Sequence, residues 1–256
     1  MRNRPFLITS LTMVAGLATA APAFGQAGNF GRSGAVAGQD LFVGQPANFY
    51  GPGVVYLYRS GPGGEWRESA RLLAPDSAQG DDFGWSLAAD GGALLVGSPN
   101  KADDAGAVYL FRRRGDRPGV WGPSGSLRGP EAARSGGFGT AVAMRGAVAF
   151  VGAPEADSAG LVFQLSVESG RFVERAMLQP GSLSKGARFG SALSLEDNLL
   201  LVGAPRADSG AGAAVIYRRQ ADSSWREEGV LAVPRTAGRP PAALGAAVML
   251  RGGRAF

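Results

Sequence analysis

With 256 residues, 41 glycines, 16 prolines, no histidine and no cysteine, the chain is long enough for a large core but too rich in turn formers for long helices, so an all-β class of many short strands is expected. The formal charge of +5 falls to +3 once an N-terminal leader carrying Arg2 and Arg4 is removed, leaving 24 basic against 21 acidic residues; the arginines are scattered, and no basic and aromatic stripe marks a nucleic-acid surface. Lack of histidine excludes Ser-His-Asp and Cys-His catalysis and His-based zinc sites, and lack of cysteine excludes disulfides and a lipid-anchored N-terminus.

Residues 1–23 open with MRNR, continue as the apolar run PFLITSLTMVAGLATA and close in small residues at Ala21-Pro22-Ala23. That is the layout of a cleaved secretory signal peptide. No later segment is long and apolar enough for a stable membrane span, so the mature chain is expected to be exported to the periplasm, the cell surface or the exterior.

From residue 27 to residue 256 the chain repeats itself. Phe30-Gly31, Phe83-Gly84, Phe138-Gly139, Phe189-Gly190 and the variant Leu244-Gly245 stand 53, 55, 51 and 55 residues apart. Fourteen residues after each Phe comes Gly-x-Pro, as Gly44-Gln45-Pro46, Gly97-Ser98-Pro99, Gly152-Ala153-Pro154 and Gly203-Ala204-Pro205. The copies run over about 28–80, 81–135, 136–186 and 187–241, with an incomplete one at 242–256.

Each copy reads as four strands. The first alternates small and large residues, as in Gly84, Ser86 and Ala88 against Trp85 and Leu87, which suits strands crowded about a common axis. The second (LFVG, ALLVG, VAFVG, LLLVG) is apolar throughout, is expected to be buried on both faces, and is ended by the proline. The third opens after a glycine, as Gly53-VVYLY, Gly106-AVYLF, Gly160-LVFQL and Gly212-AAVIY. The fourth carries an aromatic (Trp66, Trp121, Phe172, Trp225) and then a leucine (Leu72, Leu127, Leu178, Leu231). Four-stranded units of this period predict a β-propeller of antiparallel blades. About four and a third repeats are present, and because Phe256 falls inside a second strand the expectation is an N-terminal part of a longer ring of seven blades.

The pairing of Phe189-Gly190 with Val202-Gly203-Ala204-Pro205 resembles the FG-GAP repeat of integrin alpha-subunit propellers. The stretch from Gly106 to Phe111, followed by Trp121, resembles the short bacterial version still more closely. This resemblance covers the chain from about Phe30 onward and implies the propeller fold, while leaving function open.

In integrin-like repeats that bind calcium, the resemblance would place an Asp-x-Asp-x-Asp-Gly-like loop between the first two strands. Here that connection is two to four residues long: Gly38-Gln39-Asp40, Asp90-Gly91-Gly92, Arg145-Gly146, Glu196-Asp197-Asn198 and Arg251-Gly252-Gly253. So short a segment cannot wrap a cation that wants six to eight oxygens. The position eight after the Phe is Gly four times and Asp once, residues that tolerate positive φ, so Asp90-Gly91 reads as a hairpin corner. Asp81 and Asp82, which no other copy repeats, read as surface charge.

Asp103, Asp104, Asp157 and Asp208 recur after the proline; a ring of carboxylates is one reading, and turn chemistry is the preferred one. Arg114-Gly115-Asp116 spells an adhesion tripeptide, in one copy only, and composition accounts for it. Ser182-Leu183-Ser184-Lys185 matches the Ser-x-x-Lys of acyl-enzymes but sits in a loop without partner motifs. Carboxylate-pair chemistry survives the absence of histidine, and nothing points to a pair. The reading names no catalytic, cofactor-binding or metal residue and expects a non-catalytic binding scaffold, monomeric if the ring is complete, with a protein or glycan partner. The alternatives are the propeller module of a longer enzyme, such as a carboxylate-based hydrolase, and a calcium-stabilised adhesin.

Overall fold

The computed structural model describes residues 29–47, 51–115, 118–233 and 242–256; the expected signal peptide at 1–23 lies outside them. Sixteen strands form four antiparallel sheets, each taken in chain order. Blade 1 comprises β1 (Ser33–Ala37), β2 (Asp40–Gln45), β3 (Val54–Ser60) and β4 (Trp66–Leu72). Blade 2 comprises β5 (Ser86–Asp90), β6 (Ala93–Ser98), β7 (Ala107–Arg113) and β8 (Trp121–Arg128). In blade 3 these are β9 (Ala141–Arg145), β10 (Val148–Ala153), β11 (Leu161–Glu168) and β12 (Arg171–Leu178), and in blade 4 they are β13 (Ala192–Glu196), β14 (Leu199–Ala204), β15 (Ala213–Arg219) and β16 (Trp225–Ala232). A hairpin of β17 (Leu250–Arg251) and β18 (Arg254–Ala255) begins a fifth unit. The first strands β1, β5, β9, β13 and β17 are neighbours in succession, the arrangement of β-propeller blades about an axis. Each blade is a meander, so its first and third connections share one end and its second connection lies at the other.

The Phe-Gly pair is a turn. In all five copies the carbonyl before the Phe, or before Leu244, accepts from the N–H two residues after it, as Trp85 to Asp82 at 3.1 Å and Thr140 to Gly137 at 3.0 Å. The glycine takes φ between 83° and 99°, the positive φ that a type II turn requires at its third residue. The residue before the Phe is also left-handed every time, although it is Asn29, Asp82, Gly137, Arg188 or Ala243.

The Gly-x-Pro glycine serves the seam between blades. A methyl group on Gly44, Gly97, Gly152 or Gly203 would overlap the carbonyl oxygen of Gly84, Gly139, Gly190 or Gly245 in the next blade. Backbone lies on backbone there, which only glycine permits. The glycine that opens the third strand does likewise at Gly53, Gly106 and Gly160, each against the next blade's Phe carbonyl. In the first two seams a serine ties the contact: Ser33 and Ser86 donate through Oγ to the Gly84 and Gly139 carbonyls, both at 2.7 Å.

Three apolar clusters fill the seams between blades 1 and 2, 2 and 3, and 3 and 4. Phe83, Phe138 and Phe189 are wholly buried in them, each contributing about 1.5–3 kcal/mol by burial. Their edges meet aromatic rings of the third strand, such as Tyr109 at 5.4 Å and Phe163 at 5.4 Å. Phe30, with no blade before it among the described residues, is 57% exposed. For the same reason β2 departs from the expectation of a strand buried on both faces: its burial alternates, with Leu41 and Val43 half-buried, whereas β6 is buried throughout.

The fourth strand of every blade carries a register shift against the third, at Leu57/Tyr58, Leu110/Phe111, Gln164/Leu165 and Ile216/Tyr217. One outer residue is skipped each time, namely Ser69, Ser124, Arg175 and Glu228, which is a β-bulge. A single helical turn, α1 (Lys101–Asp104), lies in the second connection of blade 2.

Candidate functional site

Position eight after the Phe is left-handed in every copy: Gly38, Gly91, Gly146, Asp197 and Gly252 have φ of 66°, 56°, 57°, 49° and 59°. Asp90 pairs with Ala93 across this corner, so the hairpin reading of Asp90-Gly91 holds. The preceding position does something the sequence reading missed, since it ties successive hairpins together. Asp90 Oδ2 accepts from the Gly146 N–H at 2.5 Å, Arg145 pairs with Asp197 at 2.7 Å, and Glu196 accepts from the Gly252 and Gly253 N–H groups at 2.9 and 3.0 Å. Those two backbone donors hold the Glu196 carboxyl below the usual range.

Asp81 is not surface charge. It is buried, its Oδ2 lies 2.6 Å from Lys101 Nζ and accepts from the Ala78 N–H at 2.8 Å, and its carbonyl accepts from Ser98 Oγ at 2.6 Å. Lys101, itself buried, also reaches the Asp76 carbonyl oxygen, while Tyr109 donates to Asp76 Oδ1 at 2.8 Å. Desolvation works against ionising Asp76, but the Tyr109 hydrogen bond and the Lys101 charge win and lower its pKa. Burial pushes the Tyr109 hydroxyl up. The same two places hold Gly136 and Ala156 in blade 3 and Ala187 and Ala207 in blade 4, so an ion pair stands where the siblings pack small residues. Asp82 takes φ of 57° and accepts from Asn100 at 2.7 Å.

The other singled-out residues do not gather. Asp157 and Asp208 sit exposed at φ of 52° and 46°, a conformation Asp tolerates in turns, and Asp157 Oδ2 accepts from Gln179 at 3.3 Å; the side chains of Asp103 and Asp104 lie outside the described residues. Arg114 folds back to donate to the Pro123 carbonyl at 2.7 Å, and Asp116 lies outside the described residues. Ser182 donates to Glu227 at 3.0 Å in a loop. Among the described residues there is no group of three or more carboxylates placed to hold a metal ion.

The strongest constellation centres on Asp40, which looked like part of a hairpin connection and is instead the first residue of β2, only 1% exposed. Its Oδ2 accepts from the Trp121 indole N–H at 2.9 Å and from Arg113 at 3.4 Å, and its Oδ1 lies 3.1 Å from Arg59 Nε. That last approach is an ion-pair distance without hydrogen-bond alignment, since Oδ1 is buried and accepts no hydrogen bond. Arg59 donates onward to Gln39 Oε1 at 3.2 Å, and the Arg113 guanidinium lies over the Trp121 ring at 5.3 Å. Trp121 in turn meets Phe42 edge to face at 4.9 Å. Here blade 1 supplies the carboxylate and one guanidinium, and blade 2 supplies the other guanidinium and the indole. A cavity of about 250 Å³ opens between them, lined by Gly38, Gln39, Asp40, Arg59, Arg113 and Pro118.

A signal for this site was present in the sequence. Position ten after the Phe is Asp40 in the first copy and Ala93, Val148 or Leu199 in the next three, with Arg254 in the incomplete fifth; a carboxylate where the other complete copies are apolar marks a buried charge, which must be paired. The arrangement suits binding: two guanidiniums, oriented by one shared carboxylate, expose further N–H donors toward a concave space.

No helix among the described residues is long and apolar enough to cross a membrane. No curated protein matches the chain. The family model of the FG-GAP repeat matches residues 66–111, a frame that starts on the outer strand β4 of blade 1 and ends in β7 of blade 2, so one family repeat straddles a seam. Residues 66–111 are thus similar to an FG-GAP repeat, and the same marks recur blade after blade in sheets arranged as β-propeller blades, consistent with an FG-GAP repeat protein.

Proposed function

We propose that the chain is an exported, non-catalytic β-propeller that acts as a binding scaffold at the cell envelope or outside the cell, with a protein or glycan as partner. The observation that supports this is the convergence of residues from two successive blades on the cavity at Asp40, Arg59 and Arg113. The seams hold backbone against backbone, so the blades present these residues with little freedom, and preorganisation of that kind lowers the cost of binding. The leader at 1–23 and the absence of histidine add independent support for export and against most catalytic chemistry.

The test is a fractionation of cells producing the full chain, followed by capture from envelope extract on the immobilised mature protein. The expected result is recovery outside the cytoplasm and retention of one defined partner that high salt releases, because rim charges are screened. Residence in the cytoplasm, or turnover of envelope polysaccharide by the purified chain, would replace this reading with another.

A further inference from the structure

We infer that the cavity between blades 1 and 2 takes a carboxylate carried on a molecule about the size of one sugar ring, an inference that rests on the binding reading above. Three observations lead there. The first is charge: among the described residues that line the cavity, Asp40 is the one carboxylate and lies between Arg59 and Arg113, so these three side chains carry one uncompensated positive charge, matching a monoanion. A doubly charged phosphate would bring a second negative charge close to Asp40 and leave it unmatched.

The second is geometry. A guanidinium has five N–H donors in a planar fork that fits a carboxylate with two parallel bonds. Arg59 donates to Gln39 and stands beside Asp40 at ion-pair distance, and Arg113 donates through one nitrogen to Asp40 and the Ala37 carbonyl. Both keep unspent N–H groups, and both remain partly open, with side chains 24% and 36% exposed. Asp40, fixed by the Trp121 indole, acts as a positioning residue that aims the forks.

The third is size. A cavity of about 250 Å³ falls just below the range of roughly 300–1,000 Å³ that holds drug-sized ligands. It has room for one ring and its substituents. The matching place between blades 3 and 4 lacks all of this: Val148 replaces Asp40, Ser166 replaces Arg59, and Arg219, which stands for Arg113, donates to Ser223 at 3.0 Å.

The experiment is calorimetric titration of the full chain with D-glucuronate, D-glucose, acetate and inorganic phosphate at matched ionic strength. Glucuronate is expected to bind with a Kd near ~1 mM, the affinity of a few contacts, while glucose gives no heat of binding and acetate and phosphate bind at least ~10-fold more weakly. Arg59→Gln and Arg113→Gln, each titrated well below its own melting temperature because unpairing the buried Asp40 lowers stability, should each weaken glucuronate ~10-fold or more, the loss of one charge-assisted pair. Arg71→Gln, on β4 and paired with Glu68, should change nothing. Equal binding of glucose or acetate, tighter binding of phosphate, or indifference to both arginine changes would overturn the inference. Envelope capture that survives both arginine changes sinks the inference and spares the scaffold; glucuronate binding without any envelope partner does the reverse.

Discussion

Blades 1 and 2 and blades 3 and 4 are joined by the same frame and filled with opposite chemistry. In both seams a second-strand phenylalanine meets the next blade's tryptophan edge to face, Phe42 with Trp121 at 4.9 Å and Phe150 with Trp225 at 5.0 Å. In the first, the indole N–H has Asp40; in the second, Val148 stands in its place and the Trp225 indole N–H is buried with no hydrogen-bond partner among the described residues. Blade 2 also carries the Asp81–Lys101 pair where blade 4 has Ala187 and Ala207. The repeat specifies the backbone contact in every described seam, whereas the aromatic pair gives way to Leu95 and Phe172 between blades 2 and 3, and neighbouring positions are free to be either apolar or charged.

That contrast can be broken in several ways. The largest effect is expected from Lys101→Met, which strands the buried Asp81 and should cost about 3–5 kcal/mol in urea unfolding. The double change Asp81→Ala with Lys101→Ala, which copies blade 4, should recover most of it. If the single change is silent, the pair is not a structural substitute for small residues. Next come Gly44→Ala and Gly152→Ala, one in each seam, where a methyl meets a neighbouring carbonyl and about 3 kcal/mol should be lost. Both must suffer alike, and tolerance of one of them would mean that the seams do not share a frame.

A smaller difference should separate the tryptophans. Trp121→Phe removes the indole donor from Asp40 and should cost about 1–3 kcal/mol, whereas Trp225→Phe removes a buried donor that has no acceptor and should be neutral or stabilising. Equal melting temperatures for the two variants would refute the distinction. Smallest is the acid effect carried by Glu196 in the C-terminal hairpins. Glu196 has a lowered pKa, so its contribution is complete above the ordinary carboxylate value near about 4.3 and is lost as pH falls through its folded value. Ala37 holds the same place in blade 1 and has nothing to titrate. Carboxyl titration by NMR should place Glu196 below an ordinary glutamate, and a midpoint at or above that value would remove this latch.

The architecture was legible because it is written several times: the Phe-Gly turn recurs in five copies and the glycine seam and proline stop in four, at a fixed distance from the turn, and copies correct one another. The cavity was hard to see for the opposite reason. Asp40, Arg59 and Arg113 each occur in a role that only one copy fills, and their meeting depends on the stacking of two blades, which no single repeat encodes. Asp81 was misread because its partner, Lys101, aligns with alanines, so neither looked paired until the loops were folded together. The left-handed residue before each Phe was invisible too, since five different side chains occupy it and the turn imposes the conformation on all of them.

The bulge at Ser69, Ser124, Arg175 and Glu228 bears on how the molecule meets its own copies. An outer strand with a straight, unbroken row of N–H and C=O groups is a template on which another chain can add a strand. Kinking that row once per blade, at the same register each time, spoils the template around the rim. Crowding the protein at high concentration should therefore not knit molecules side by side through the outer strands.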